Sequence, residues 1–142
     1  MNMHAKIGSA ARQRLKAGER RRFTADELLA MEEQGILGLD ENLELLDGEI
    51  VAMAPKSNRH EDVRAEICDW LSNQSPRNFK VAQEPPLRLS DFWEPEPDVL
   101  LFPRAMRVHE VRGPWALLVI EVAVTSLSVD LTIKAPAYAA HA

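Results

Sequence analysis

Asp98 opens the apolar run 98–102, and Glu121 lies near the close of a second apolar run, 115–122. If these runs are antiparallel strands joined across residues 103–114, with Phe102 facing Leu117, then Asp98 faces Glu121, because both steps are four residues. Side chains alternate along a strand, so Asp98, Leu100 and Phe102 share one face, as do Leu117, Val119 and Glu121. Cross-strand partners hold their Cβ atoms about 4.5–5.5 Å apart. Two carboxylates that close resist ionising together. At the rim of an apolar sheet a divalent cation relieves them, and Mg²⁺ is commonly held by one or two carboxylates together with water and substrate phosphate. The plainer reading leaves each acid at a strand end, facing solvent or an arginine.

The elements that must position this pair are legible around it. Thr24 followed by Glu27 fits a capping box, in which each side chain satisfies an orphan amide of the first turn. With Leu28, Leu29 and Met31 as apolar contacts and Gly35 as the stop, the pattern predicts a helix over 25–34. Asp47-Gly48 lies between the apolar runs 43–46 and 49–53, a strong hairpin signal, because a type I′ turn needs positive φ at both central residues. Asn58 is positioned to cap a helix over 59–73, whose Val63, Ile67, Trp70 and Leu71 fall on one face at a 3.6 period.

Residues 79–83 and 87–89 are short candidate strands parted by Pro85-Pro86, and 91–97 is a loop, since three acids and two prolines do not hold a central ladder. The near-continuous apolarity of 98–102 and 115–122 predicts burial on both faces, hence central strands. Ser126 is positioned to cap a last helix over 127–140, which Pro136 kinks or shortens. Helix, strands, helix, strands, helix reads as α+β or mixed α/β.

Composition narrows the classes further. The 142 residues, 46% of them hydrophobic and 27% charged, suit one globular domain rather than a disordered chain. No run of eighteen apolar residues exists, so no membrane partner is expected. The single cysteine, Cys68, excludes an internal disulfide framework and a multi-cysteine zinc site, which makes a reducing, cytoplasmic setting the expectation. Charge is uneven. Residues 1–22 carry seven Lys/Arg and one acid, net +6, against a total of −5, so the remainder is strongly acidic at −11. We expect residues 1–22 to be a basic, poorly ordered tail and 23–142 to be the domain.

Taken in order, the hairpin sequence of residues 43–55 with Glu44 and Asp47-Gly48, His60 opening a helix, Glu96-Pro97-Asp98, Val119-Ile120-Glu121-Val122, and the segment 125–138 with Asp130, Lys134 and Tyr138 resemble the Uma-type putative restriction endonuclease family. That family belongs to the PD-(D/E)xK nuclease-like superfamily. The resemblance runs over residues 23–142. It implies a restriction-endonuclease-like core, with a central mixed sheet flanked by helices in three layers. It implies Mg²⁺- or Mn²⁺-dependent hydrolysis of phosphodiester bonds in DNA. Asp98 and Glu121 correspond to metal-ligating acids, and Glu44 to an acid that reaches the metal directly or through water. The superfamily's usual lysine position, two residues after the second acid, holds Ala123, and Lys134 of the following helix takes its place. His60 matches a recurrent histidine with no assigned role.

The resemblance also implies a further strand after Ala142, carrying a Glu-x-Trp element. Its lack would leave a sheet edge open, as in a truncated chain or one that self-associates as a homodimer. The alternative function is accordingly a non-cutting relative that self-associates or binds nucleic acid. A metal-free glycosidase built on two carboxylates has less support, since few aromatic residues lie near Asp98. The residues also keep plain competitors. Lys134 follows Asp130 by four positions and could form a surface pair with it, Glu44 could alternate outward, His60 could be a surface residue of a helix start, and Tyr138 and Trp70 read as packing groups.

Overall fold

The computed structural model describes residues 15–38 and 40–142. Most of the basic N-terminal segment, including Lys6, Arg12 and Arg14, lies outside the described residues. Helix α1 (Ala25–Glu33) begins at the capping box expected for it: Thr24 Oγ1 accepts from Glu27 N at 3.2 Å, and Glu27 Oε2 accepts from Thr24 N at 3.0 Å. Gly35 ends it at φ 68°. Ala25 and Leu28 bury against Leu45, while Leu29 stays half exposed.

Strands β1 (Leu43–Leu46) and β2 (Glu49–Ala52) pair antiparallel about Asp47 and Gly48, whose φ values of 52° and 79° are those of the type I′ turn. Ahead of α1, Arg20, Arg21 and Arg22 pair with Glu49, Glu27 and Asp47, and Arg22 also lies over the Phe92 ring.

Helix α2 (Asn58–Gln74) starts one residue earlier than its sequence suggests. Ser57, extended at φ −81° and ψ 160°, is the cap and accepts from His60 N, so Asn58 is already helical. Its inward face is also rotated from the expected one. His60, Cys68 and Leu71 are buried, with Arg64 and Ile67 half-buried, whereas Val63 and Trp70 are exposed. The rotation follows from two demands: Ile67, Cys68 and Leu71 pack on Val81, Val99 and Ile120, and the first two turns must deliver His60 to the buried Asp98 and Arg64 to the half-buried Glu84.

Strands β3 (Phe79–Gln83), β4 (Val99–Pro103) and β5 (Leu118–Ile120) form one antiparallel sheet with β4 in the middle. The α+β class is as expected, built on two small antiparallel sheets, and Leu45 of the hairpin also makes an isolated bridge to Glu94 of the loop that leads into β4. Residues 87–89 do not form a strand. The Leu87 and Leu89 amides instead donate to Pro95 O and Trp93 O of the adjoining loop, and Arg88 makes one isolated bridge to Arg112. The second apolar run is strand only at 118–120, because Gly113–Trp115 forms a 3₁₀ turn. Strand β5 is an edge among the described residues, with Leu117 and Leu118 exposed, so its apolarity does not reflect two-sided burial. That inference holds for β4, whose Val99 and Leu100 are fully buried in clusters on opposite faces.

The C-terminal helix is built in three pieces: α3 (Leu127–Val129), a π-helical turn (Asp130–Lys134) and α4 (Ala135–His141). Ser126 does not cap it; its hydroxyl donates to Asp130 Oδ2 at 2.6 Å. Pro136 has no amide to give an α-helical ladder, and its ring crowds the preceding turn. The widened turn, closed by Ala135 N on Asp130 O, carries the chain past it and sets both Asp130 and Lys134 inward. No described helix is long and apolar enough to cross a membrane.

Candidate active site

The β4–β5 ladder pairs Val99 with Ile120, Leu100 with Val119 and Leu101 with Leu118. Continued by one step, this register sets Asp98 opposite Glu121, the arrangement supposed in pairing Phe102 with Leu117. Both side chains line one cleft, together with Glu44, Lys56, Glu96 and Lys134. Asp98 is buried. Its Oδ2 accepts from Val122 N at 2.7 Å, and its Oδ1 lies 3.1 Å from His60 Nε2 and 3.2 Å from Lys56 Nζ.

Glu121 receives Lys134 Nζ at 2.7 Å and the Tyr138 hydroxyl at 2.6 Å, both on Oε1. Lys134 is only 2% exposed and also donates to Glu44 Oε1 at 3.1 Å. Its Nζ stands 3.0 Å from Glu44 Oε2, but that oxygen is buried without a hydrogen bond. The hairpin thus turns Glu44 inward, and the π-helical turn aims Lys134 at Glu44 and Glu121 rather than at Asp130, which takes Ser126 instead. Of the five residues singled out from sequence, all reach one place: Glu44, Asp98, Glu121 and His60 supply four of its walls, and Lys134 bridges two of them.

Electrostatics follows from this burial. Desolvation raises Glu121 to about 7, against the opposing pull of Lys134 and Tyr138. Glu96, burdened by burial and by the neighbouring Glu44, also rises to about 7. Burial pushes Glu44 up as well, with Lys134 acting against it. Asp98 goes the other way. Burial disfavours its charge, but the Val122 amide, Lys56 and His60 outweigh that cost and hold it below the ordinary carboxylate range. The Lys134 ammonium loses water on burial, yet Glu121 and Glu44 more than compensate, so it stays charged. The facing pair is therefore electrically unequal: one acid is firmly ionised, the other poised near neutrality.

Sequence reasoning missed four participants. Tyr138, read as a packing group, donates to Glu121 from one helical turn beyond Lys134. Lys56, just after Pro55, pairs with Asp98 and with Glu84. Glu84 also receives Arg64 and sits at φ 50°, a left-handed conformation that non-glycine residues rarely adopt. Glu96 was legible only as part of Glu96-Pro97-Asp98. The i,i+4 spacing of Lys134 and Tyr138 was an available signal; the meeting of residues 56, 84 and 98 was not.

Among the described residues no three His, Cys, Asp or Glu side chains stand together as a ready-made metal cage. Mg²⁺ does not require one, because it keeps several waters and is commonly bound through one or two carboxylates. Hard oxygen donors from Asp98 and Glu121, with the unbonded Glu44 Oε2 in the same cleft, fit that lesser demand.

An α+β fold that presents facing carboxylates at a sheet rim, a third acid from a hairpin and a lysine from the next helix is of the restriction-endonuclease-like class. The chain belongs to the Uma2 family, described as "Putative restriction endonuclease", whose model matches residues 25–142. No curated protein matches it.

Proposed function

We propose that the protein is a divalent-metal-dependent DNA endonuclease that hydrolyses phosphodiester bonds at the Asp98–Glu121 cleft. The observation that carries this reading is the register that sets a buried carboxylate, Asp98, opposite a half-buried one, Glu121, with the Lys134 ammonium on the latter. Asp98 and Glu121 would hold Mg²⁺ or Mn²⁺, with Glu44 beside them, and the ion would supply Lewis acidity and a bound water of lowered pKa.

The chain's own groups have separate tasks. His60 and the Val122 amide fix the orientation of the Asp98 carboxylate. Tyr138 does the same for Glu121. Lys134, held in place by two acids, is preorganised to stabilise negative charge developing on a phosphate oxygen, and preorganised charge in a buried site acts without a reorganisation cost. The acidic body offers DNA little general attraction, so backbone contacts depend on local cations such as the arginines ahead of α1.

Supercoiled plasmid supplies the test. With Mg²⁺ or Mn²⁺ the protein should nick it, and EDTA or Asp98→Asn should stop the nicking. Nicking that survives either treatment contradicts the proposed site. A folded protein that never nicks, yet retards DNA in a gel, favours the alternative of a non-cutting nucleic-acid-binding relative.

A further inference from the structure

Asp98 is contacted by two cationic-type side chains whose mobility differs. His60 is rigidly placed: its ring is buried, and its backbone amide is tied to the Ser57 cap. Lys56 reaches the same Oδ1 on a flexible four-carbon stem, in a side chain that is 24% exposed. It also has Glu84 within reach on another element, whereas the second acid near His60 is Glu61, its own neighbour on α2, 3.5 Å from Nδ1.

Glu84 is held for this purpose by the backbone. It follows β3 directly, its amide donates to Asp98 O at 3.2 Å, and it is fixed at φ 50°. Non-glycine residues in this region carry a conformational cost, and such costs persist where the surroundings over-determine them. Arg64, from the second turn of α2, braces the same carboxylate. One lysine is thus shared between Asp98 and an acid that has no part in the Asp98–Glu121 pair.

We infer that Lys56 is a tethered counter-cation that competes with a divalent ion for Asp98, and that Glu84 is the berth to which Lys56 retires when the ion binds. This rests on the metal-dependent reading of the site. In the metal-free protein Lys56 neutralises Asp98. When Asp98 is taken up by a dication, like charges disfavour an ammonium held 3.2 Å from Asp98 Oδ1, and Lys56 keeps only its Glu84 contact. The pair Lys56–Glu84 would then set the metal affinity of the site without ligating the metal.

Binding of Mn²⁺ alone, measured by calorimetric titration of the full chain, tests the inference. Lys56→Met should bind Mn²⁺ at least about fivefold more tightly than the unaltered protein, the factor equivalent to removing a competing pair worth ~1 kcal/mol. Glu84→Gln, which strands Lys56 on Asp98, should bind it more weakly. Lys56→Gln keeps a neutral donor for Glu84 and should match Lys56→Met, which guards against loss of folding in either one.

Unchanged or weaker binding by both Lys56 variants overturns the inference while leaving the metal site intact, provided Asp98→Asn abolishes binding. Mn²⁺ bound by the Lys56 variants but not by the unaltered protein supports it in its strongest form. If neither binds Mn²⁺, or if Asp98→Asn binds as well as the unaltered protein, the metal-dependent reading fails and the inference falls with it.

Discussion

Replacing Lys134 by methionine removes one ammonium and leaves two acids, the buried Glu44 and the half-buried Glu121, without their shared cation. The side chain is 2% exposed, so water does not take its place readily. Removing one partner of a buried ion pair typically costs about 3–5 kcal/mol, because the remaining charge is stranded. That figure applies only while the acids are ionised. Glu121 titrates at about 7 even with the lysine present, so at pH 8 it carries its charge and at pH 5.5 it does not.

The expected loss is therefore about 3 kcal/mol or more at pH 8, a fall in Tm of roughly 10 °C for a chain of this size. At pH 5.5 the loss should be smaller by up to about 1.4 kcal/mol, roughly half, the share set by one proton on a group titrating at about 7. Thermal unfolding followed by circular dichroism in EDTA at the two pH values is the assay. A control is Lys134→Met combined with Glu44→Gln and Glu121→Gln, which should recover most of the stability at pH 8, since a neutral cluster carries no stranded charge. An equal loss at both pH values, or no recovery in the combined variant, would refute the reasoning.

The raised Glu121 makes the metal-free protein less stable as pH climbs from its ordinary 4.5 through about 7, because in that window the native state holds a proton that the unfolded chain has released. The slope amounts to ~3 kcal/mol at most, and melting curves of Glu121→Gln should lack that share of it. Tyr138→Phe deletes a hydrogen bond to the same carboxylate and should cost about 1–2 kcal/mol at pH 8, with the pH slope moved to higher pH. Gly113→Ala places a Cβ 1.8 Å from the His141 carbonyl oxygen, so α4 must shift. Urea unfolding should show a loss of about 1–3 kcal/mol, and the displaced Tyr138 should weaken metal-dependent nicking as well.

Much of the scaffold was legible because local chemistry dictates it. The Thr24–Glu27 capping box, the Asp47-Gly48 turn and strand β3 stand where the residues place them. The 98–121 register followed by counting once antiparallel pairing and a Phe102–Leu117 contact were supposed, and the observed ladder has that register. What was not legible depended on distant partners. The inward face of α2 is chosen by acids on other elements, so Val63 and Trp70, apolar and correctly spaced, remain outside. The extent of β5 is limited by the turn at Gly113–Trp115, and its edge position by the sheet order.

At the site the residue types were readable and their pairings were not. Lys134 is four residues from Asp130, a spacing that suits a surface pair. Only the π-helical turn ahead of Pro136 shows that it serves Glu44 and Glu121 instead. Lys56 and Glu84 had no local signal at all, for 28 positions separate them and a left-handed backbone joins their charges.

Anomalous diffraction from crystals soaked in Mn²⁺ addresses the central claim most directly, because it locates the ion without relying on turnover. The account expects a peak within coordination distance of the Asp98 and Glu121 carboxylates, with Lys56 resting on Glu84. No peak in the cleft of a soaked crystal, or a peak touching neither carboxylate, would contradict it.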